Sequence, residues 1–143
     1  VEFHDIVYRE AKQATDVEPP PVAAPTGAPW QLEIVPDDVL LFRYSALTFN
    51  GHRIHYDRRY VTEVEGYPGL VVHGPLIATL LLDLLHRHVP GADLATFRFK
   101  AVRPAFDGQP LRISGTRDGQ AVRLWAQDHH GRLTMDAAAM LRD

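Results

Sequence analysis

The spacing of apolar positions changes character along this chain, and each change marks an element. Behind Pro36-Asp37-Asp38, a proline with acidic residues suited to a helix start, Val39, Leu40, Phe42, Tyr44 and Leu47 recur at helical spacing. This predicts a helix to about residue 48, preceded by an edge strand or lead-in over Gln31–Val35. A polar loop follows from Asn50 to Asp57, then a short helix over Arg58–Glu65, closed by Gly66-Tyr67-Pro68-Gly69. Gly74-Pro75 opens a second long helix to about His88. Its run Leu76, Ile77, Ala78, Leu80, Leu81, Leu82, Leu84, Leu85 is broken only by Thr79 and Asp83, as expected of a buried helix. After Pro90-Gly91 the period becomes two. Phe97, Phe99 and Ala101 alternate with Arg98 and Lys100, and Leu111 and Ile113 with Arg112 and Ser114. Val122, Leu124 and Ala126 follow the Asp118-Gly119 turn, and Leu133, Met135, Ala137, Ala139 and Leu141 follow His129-His130-Gly131. The expectation is an α+β domain: four antiparallel strands with one apolar face laid against the buried helix.

Residues 1–29 read differently. Phe3, Ile6, Val7 and Tyr8 suggest a short strand, and Pro19-Pro20-Pro21, Pro25 and Pro29 an extended linker. The folded domain is expected over 30–143. A strand-like scrap before a long linker points to something upstream, and the absence of an initiator methionine fits a fragment or a processed product.

The 143 residues suit one domain, and 45% hydrophobic with 23% charged residues is ordinary globular composition. A net charge of −3 gives no reason to expect nucleic acid. There is no cysteine, which excludes disulfides, thiolate metal sites and a thiol nucleophile and is compatible with a cytoplasmic setting. No apolar run is long enough to span a membrane, and the acidic start is no signal peptide.

Candidate chemistry concentrates in Thr48–Asp57, which holds Asn50, His52, Arg53, His55 and Asp57. His55 is the best acid–base candidate, because a free imidazole titrates near neutrality. The Asn50 amide is suited to orienting a water or a carbonyl. The plainer alternative is that Asn50 caps a turn and His55 is a satisfied structural histidine. Asn50, His52 and His55 make a poor metal set, so no metal is expected. Gly74, at the start of the buried helix, is placed to aim its N–H at a ligand oxygen, unless it is simply a tight turn. Arg98, Lys100 and Arg103 form a basic stripe suited to a phosphate or carboxylate, or else a solvated strand face.

The stretch Ser45-Ala46-Leu47-Thr48-Phe49-Asn50-Gly51-His52-Arg53-Ile54-His55-Tyr56-Asp57, followed by Gly66-Tyr67-Pro68-Gly69-Leu70-Val71-Val72-His73-Gly74-Pro75, resembles the MaoC-like hot-dog hydratases and dehydratases. The nearest resemblance is to the subgroup of mesaconyl-CoA and itaconyl-CoA hydratases and type 2 hydroxyacyl-thioester dehydratases. It covers about residues 30–142 and implies a hot-dog fold, with an antiparallel sheet wrapped around a long helix. It implies addition of water to an enoyl-thioester, or its removal from a 3-hydroxyacyl thioester, with CoA or an acyl carrier as handle and no cofactor. In the wider family an aspartate and a following histidine activate the water. The histidine matches His55, but Asn50 stands at the aspartate position, as is usual in the nearer subgroup, and His52 at that of an intervening asparagine. The resemblance therefore assigns proton transfer to His55, water-holding to Asn50 and carbonyl polarisation to the Gly74 N–H, with His52 or Asp57 as a second proton-transfer group. Tyr44, Arg53, Val72, His73, Arg98, Lys100 and Arg103 are the expected substrate contacts. Members often join two hot-dogs in one chain, this sequence matching the catalytic C-terminal half, so a homodimer or a separate N-terminal half is the expected partner. A hot-dog thioesterase and a non-catalytic acyl-binding subunit are the competing readings.

Overall fold

The computed structural model describes residues 1, 3, 5 and 19–142. Most of the strand expected over Phe3–Tyr8 and the first part of the linker lie outside the described residues. Five strands form one antiparallel sheet: β1 (Trp30–Ile34), β2 (Leu94–Ala101), β3 (Leu111–Asp118), β4 (Ala121–Gln127) and β5 (Leu133–Leu141), in the order β1-β3-β4-β5-β2. Three helices stand between β1 and β2: α1 (Asp38–Leu47), α2 (Arg58–Glu63) and α3 (Gly74–His88). This is the hot-dog arrangement, with α3 packed on β1, β3, β4 and β5.

α3 buries Leu76, Ile77, Ala78, Leu81, Leu84 and Leu85, which meet Ile113, Leu124, Met135 and Ala137 from the inner face of the sheet in one core. Each such leucine contributes about 1.5–3 kcal/mol. The helix is less enclosed than its composition suggests: Thr79 is exposed and Leu80, Leu82 and Asp83 are half-buried. Gly115 is where β1 comes closest. A Cβ there would lie 2.7 Å from Leu124 Cδ2 and 3.1 Å from Trp30 Cε3, so any larger residue would displace the Leu124 side chain and crowd the Trp30 ring, which stacks on His88.

One expectation needs correction. The alternating residues of β2 do not form a buried apolar face in this chain: Phe97 is half-buried and Phe99 exposed, because α3 packs on β1, β3, β4 and β5 and leaves the β2 edge largely uncovered. The described part of the proline-rich stretch, expected as an extended linker, is docked on the domain. The Ala24 N–H donates to the Gly131 carbonyl, the Leu133 N–H to the Val22 carbonyl, and Ala24 packs with Trp125 and Leu133. No helix among the described residues is long and apolar enough to cross a membrane.

Candidate active site

The Asn50–Asp57 loop is built by local hydrogen bonds, and these decide where its side chains stand. α1 ends in a Schellman motif: the Asn50 N–H donates to the Ser45 carbonyl and the Phe49 N–H to the Ala46 carbonyl. The left-handed position, where glycine is usual, is occupied by Phe49 at φ 53°, at a cost of about 1 kcal/mol. The Asn50 side-chain oxygen accepts from the His52 N–H, and the Tyr56 hydroxyl donates to the Gly51 carbonyl. A single 3₁₀ turn, Arg53–His55, follows where a loop was expected, and it sets His55 inward at 8% exposure.

His55 is fixed from two sides. Its Nδ1 lies 2.7 Å from the Val71 carbonyl oxygen. A carbonyl only accepts, so Nδ1 carries the proton and Nε2 is left as the basic nitrogen. Its ring stacks on that of His73, with centroids 3.8 Å apart and planes 17° from parallel, while His52 stands edge-on at 5.6 Å. Val71 and His73 belong to the segment that leads directly into α3 at Gly74, so the imidazole sits beside that helix N-terminus. Burial pushes the His55 pKa below its usual value. The Val71 hydrogen bond raises it, and His52 lowers it further.

Gly74 has neither a left-handed φ nor a clash to explain it: an added Cβ would meet only Met135 Cε, at 3.9 Å. It is the first residue of a helix whose cap, His73, makes no side-chain hydrogen bond to the turn. The N-terminal N–H groups of α3 carry the positive end of its dipole.

The other expected residues divide. Asn50 stands half-buried at one end of an open groove of about 280 Å³ lined also by Phe42, Ser45, Ala46, Phe49, Gly51 and Tyr56. Asp57 caps α2 by accepting from the Tyr60 N–H, and it pairs with Arg53 at 2.8 Å. These two bonds hold its carboxyl below the usual carboxylate range, the cap being the larger cause. Arg53 also lies over the Tyr60 ring. Arg98 and Lys100 are exposed on β2, while Arg103 leaves the strand and reaches the Pro19 carbonyl at 3.4 Å. Val72 and His73 are corrected from expected substrate contacts to interior residues. Val72 is 3% exposed with its N–H on the Ala105 carbonyl. His73 is fully buried, bonded through Nε2 to Ser45 Oγ at 2.8 Å and packed edge-on to the half-buried Tyr44.

Sequence reasoning missed Asp107. Its carboxylate accepts from the Leu70 N–H and pairs with Arg58. Two backbone bonds, Val72 N–H to the Ala105 carbonyl and Asp107 N–H to the Leu70 carbonyl, complete the seam. The seam holds in place the segment that carries the Val71 carbonyl.

Burial beside His55 lowers the His73 pKa to about 4. The unfolded chain binds that proton near 6.5 and the folded chain only near 4, so between these values the unfolded state holds more protons and stability falls as pH falls. Above 6.5 the contribution is flat. Thermal melts at pH 7.5 and 4.5 should show a loss of stability that is smaller in His73→Phe; equal losses would contradict it.

A family model described as hydroxyacyl-thioester dehydratase type 2 matches residues 1–107. The chain belongs to that family. Among relatives, the mesaconyl-C(4)-CoA hydratase of Chloroflexus aurantiacus is 44% identical over 140 residues, covering 98% of this chain and 50% of the relative. The chain thus spans about half the length of that protein. Among solved structures, the (R)-hydratase of A. caviae involved in PHA biosynthesis superposes with a TM-score of 0.67 at 19% identity, covering 90% of this chain and 98% of that one. A chain of the ChsH1–ChsH2 complex of Mycobacterium tuberculosis superposes at 0.68 with 15% identity, covering 85% and 94%. At these identities the structural likeness speaks for the fold alone.

Proposed function

We propose that this chain is a hydro-lyase half-site that adds water to an enoyl-thioester and, in reverse, removes it from a 3-hydroxyacyl thioester. The observation that carries the reading is a neutral imidazole with a free Nε2, locked against the segment that begins α3. In the forward direction His55 Nε2 takes a proton from water as the oxygen bonds to C3. The C2–C3 π electrons move to C2 and onto the thioester oxygen, where the Gly74 N–H meets the enolate charge. His55 then returns its proton to C2. The Asn50 carbonyl already holds the His52 N–H, and its NH₂ remains to position the water. Asp57, ionised and doubly bonded, is a poor proton donor. This favours His55 alone, with His52 as the nearer auxiliary.

The substrate handle proposed is CoA, in line with the relative's name. A second hot-dog, another copy or a separate half, completes the site. α1 is apolar on both faces, with Val39, Phe42 and Leu47 exposed beside Phe49 at 96%, which is the composition of a covered helix. The groove at Asn50 opens on that surface, where a second hot-dog would roof it over the acyl group.

Incubation with crotonyl-CoA and mesaconyl-CoA tests the activity. Loss of enoyl-thioester absorbance with CoA still esterified is the expected result. Release of free thiol would make it a thioesterase, and no change a binding subunit. Mass in solution should exceed that of one chain unless the missing partner is a separate half.

A further inference from the structure

The His73 imidazole is an expensive choice for where it stands. It is fully buried, and its Nδ1 has no hydrogen-bond partner, an omission that costs about 1–3 kcal/mol. A leucine or phenylalanine would fill a core position without that cost. The cap position it occupies favours Ser, Thr, Asp or Asn, yet the His73 side chain makes no capping bond. Its burial also keeps it from the substrate. What remains is its face. The ring lies flat against His55 at 3.8 Å and is held by Ser45 Oγ on one side and the Tyr44 edge on another.

We propose that Ser45 and His73 form a positioning pair, in which the His73 ring, fixed by Ser45, holds the His55 ring in one plane so that its Nε2 keeps a single bearing. The proposal rests on the reading of His55 as the acid–base group. The bond from His55 Nδ1 to the Val71 carbonyl is one point of attachment, and a ring held at one point pivots about the N–H···O line. A flat partner in van der Waals contact removes that pivot. Proton abstraction needs the base directed at the water within a few tenths of an ångström, so the plane of the ring governs rate rather than affinity. The pair also stays uncharged: a protonated His73 would set a cation against His55 at the moment it takes its own proton, and burial of His73 opposes this.

The test uses the full chain as Ser45→Ala, His73→Ala and His73→Phe, each checked for folding by thermal melt. His73→Ala should lower kcat on the order of 10²-fold with KM within about twofold. His73→Phe, which restores a flat ring without the hydrogen bond, should recover all but about tenfold, and Ser45→Ala should fall between. Nitrogen-15 spectra of the imidazoles give a readout independent of turnover. The Val71 carbonyl should keep His55 in the Nδ1–H tautomer throughout, whereas in His73→Ala and Ser45→Ala the His55 ring resonances should shift and broaden as the ring pivots about that bond. A raised KM with kcat intact would make His73 a substrate contact and overturn the proposal. Equal losses in His73→Ala and His73→Phe would also overturn it, as would a His55 spectrum unchanged in both alanine variants. Should His73→Ala fail to fold, Ser45→Ala carries both readouts. A wild-type chain that turns over no enoyl-thioester overturns the hydro-lyase reading and leaves the nitrogen test standing.

Discussion

Replacing His55 by alanine is expected to lower kcat for enoyl-thioester hydration about 10³-fold while the chain still folds. The imidazole is held neutral and oriented beside the start of α3, and unlike the fully buried His73 it keeps part of its surface open. His55→Gln should fail similarly, since an amide keeps the bulk and loses the base. Turnover within tenfold of wild type in either variant would remove His55 from the chemistry. The pH dependence carries a sign. Because burial lowers the His55 pKa, the base form dominates at neutrality, so kcat/KM should hold level through pH 7 and fall only below 6.5. An acid limb centred above 6.5 would contradict the environment described for His55.

Asp107→Ala is expected to cost about 2–3 kcal/mol and to slow turnover as well, although Asp107 touches none of the reacting atoms. It is the pin of the 69–72 segment. Removing it leaves the Leu70 N–H without an acceptor and frees Arg58. The Val71 carbonyl that holds His55 would then shift with the segment, and small displacements of an oriented base cost rate. Asp107→Asn keeps an oxygen for Leu70 and loses only the ion pair with the half-exposed Arg58, so it should cost about 1 kcal/mol or less. Urea midpoints at constant slope separate the two, and equal stability of the alanine and asparagine variants would refute the pin. The same crowding explains Gly69, where a Cβ would stand 2.7 Å from Asp107 Oδ1. That oxygen cannot swing away without dropping Leu70.

α1 and α3 were legible because each joins a helical apolar period to a start signal, Asp37-Asp38 in one and Gly74-Pro75 in the other. β3, β4 and β5 were legible because period two and the turns at Gly119 and Gly131 agree. The limits have physical reasons. Alternation in β2 looks the same whether Phe97 and Phe99 face this chain's own helix or another surface. The order β1-β3-β4-β5-β2 leaves no trace in local pattern. For the site, the loop and the Val-His-Gly string stood out by composition, and the family resemblance joined them. It could not separate Val72 and His73, which point inward, from Gly74, which does not. Nor did anything near Phe106-Asp107-Gly108 announce that its carboxylate would hold a segment so far back in the chain. Ser45 looked like an ordinary helical serine until His73 was found against it.

The order of the strands has a kinetic consequence. β3, β4 and β5 follow one another through tight turns and form a meander from local contacts, whereas β1 pairs with β3 only by registering Trp30 against Gly115, across most of the chain. Everything that makes the site, from α1 to the start of α3, lies inside the loop that this pairing closes. Closing a long loop spends entropy before it gains contacts. The segment that carries the candidate site is therefore expected to be acquired late, on a sheet already half assembled, and to be the part that a local opening of the β1 edge releases first.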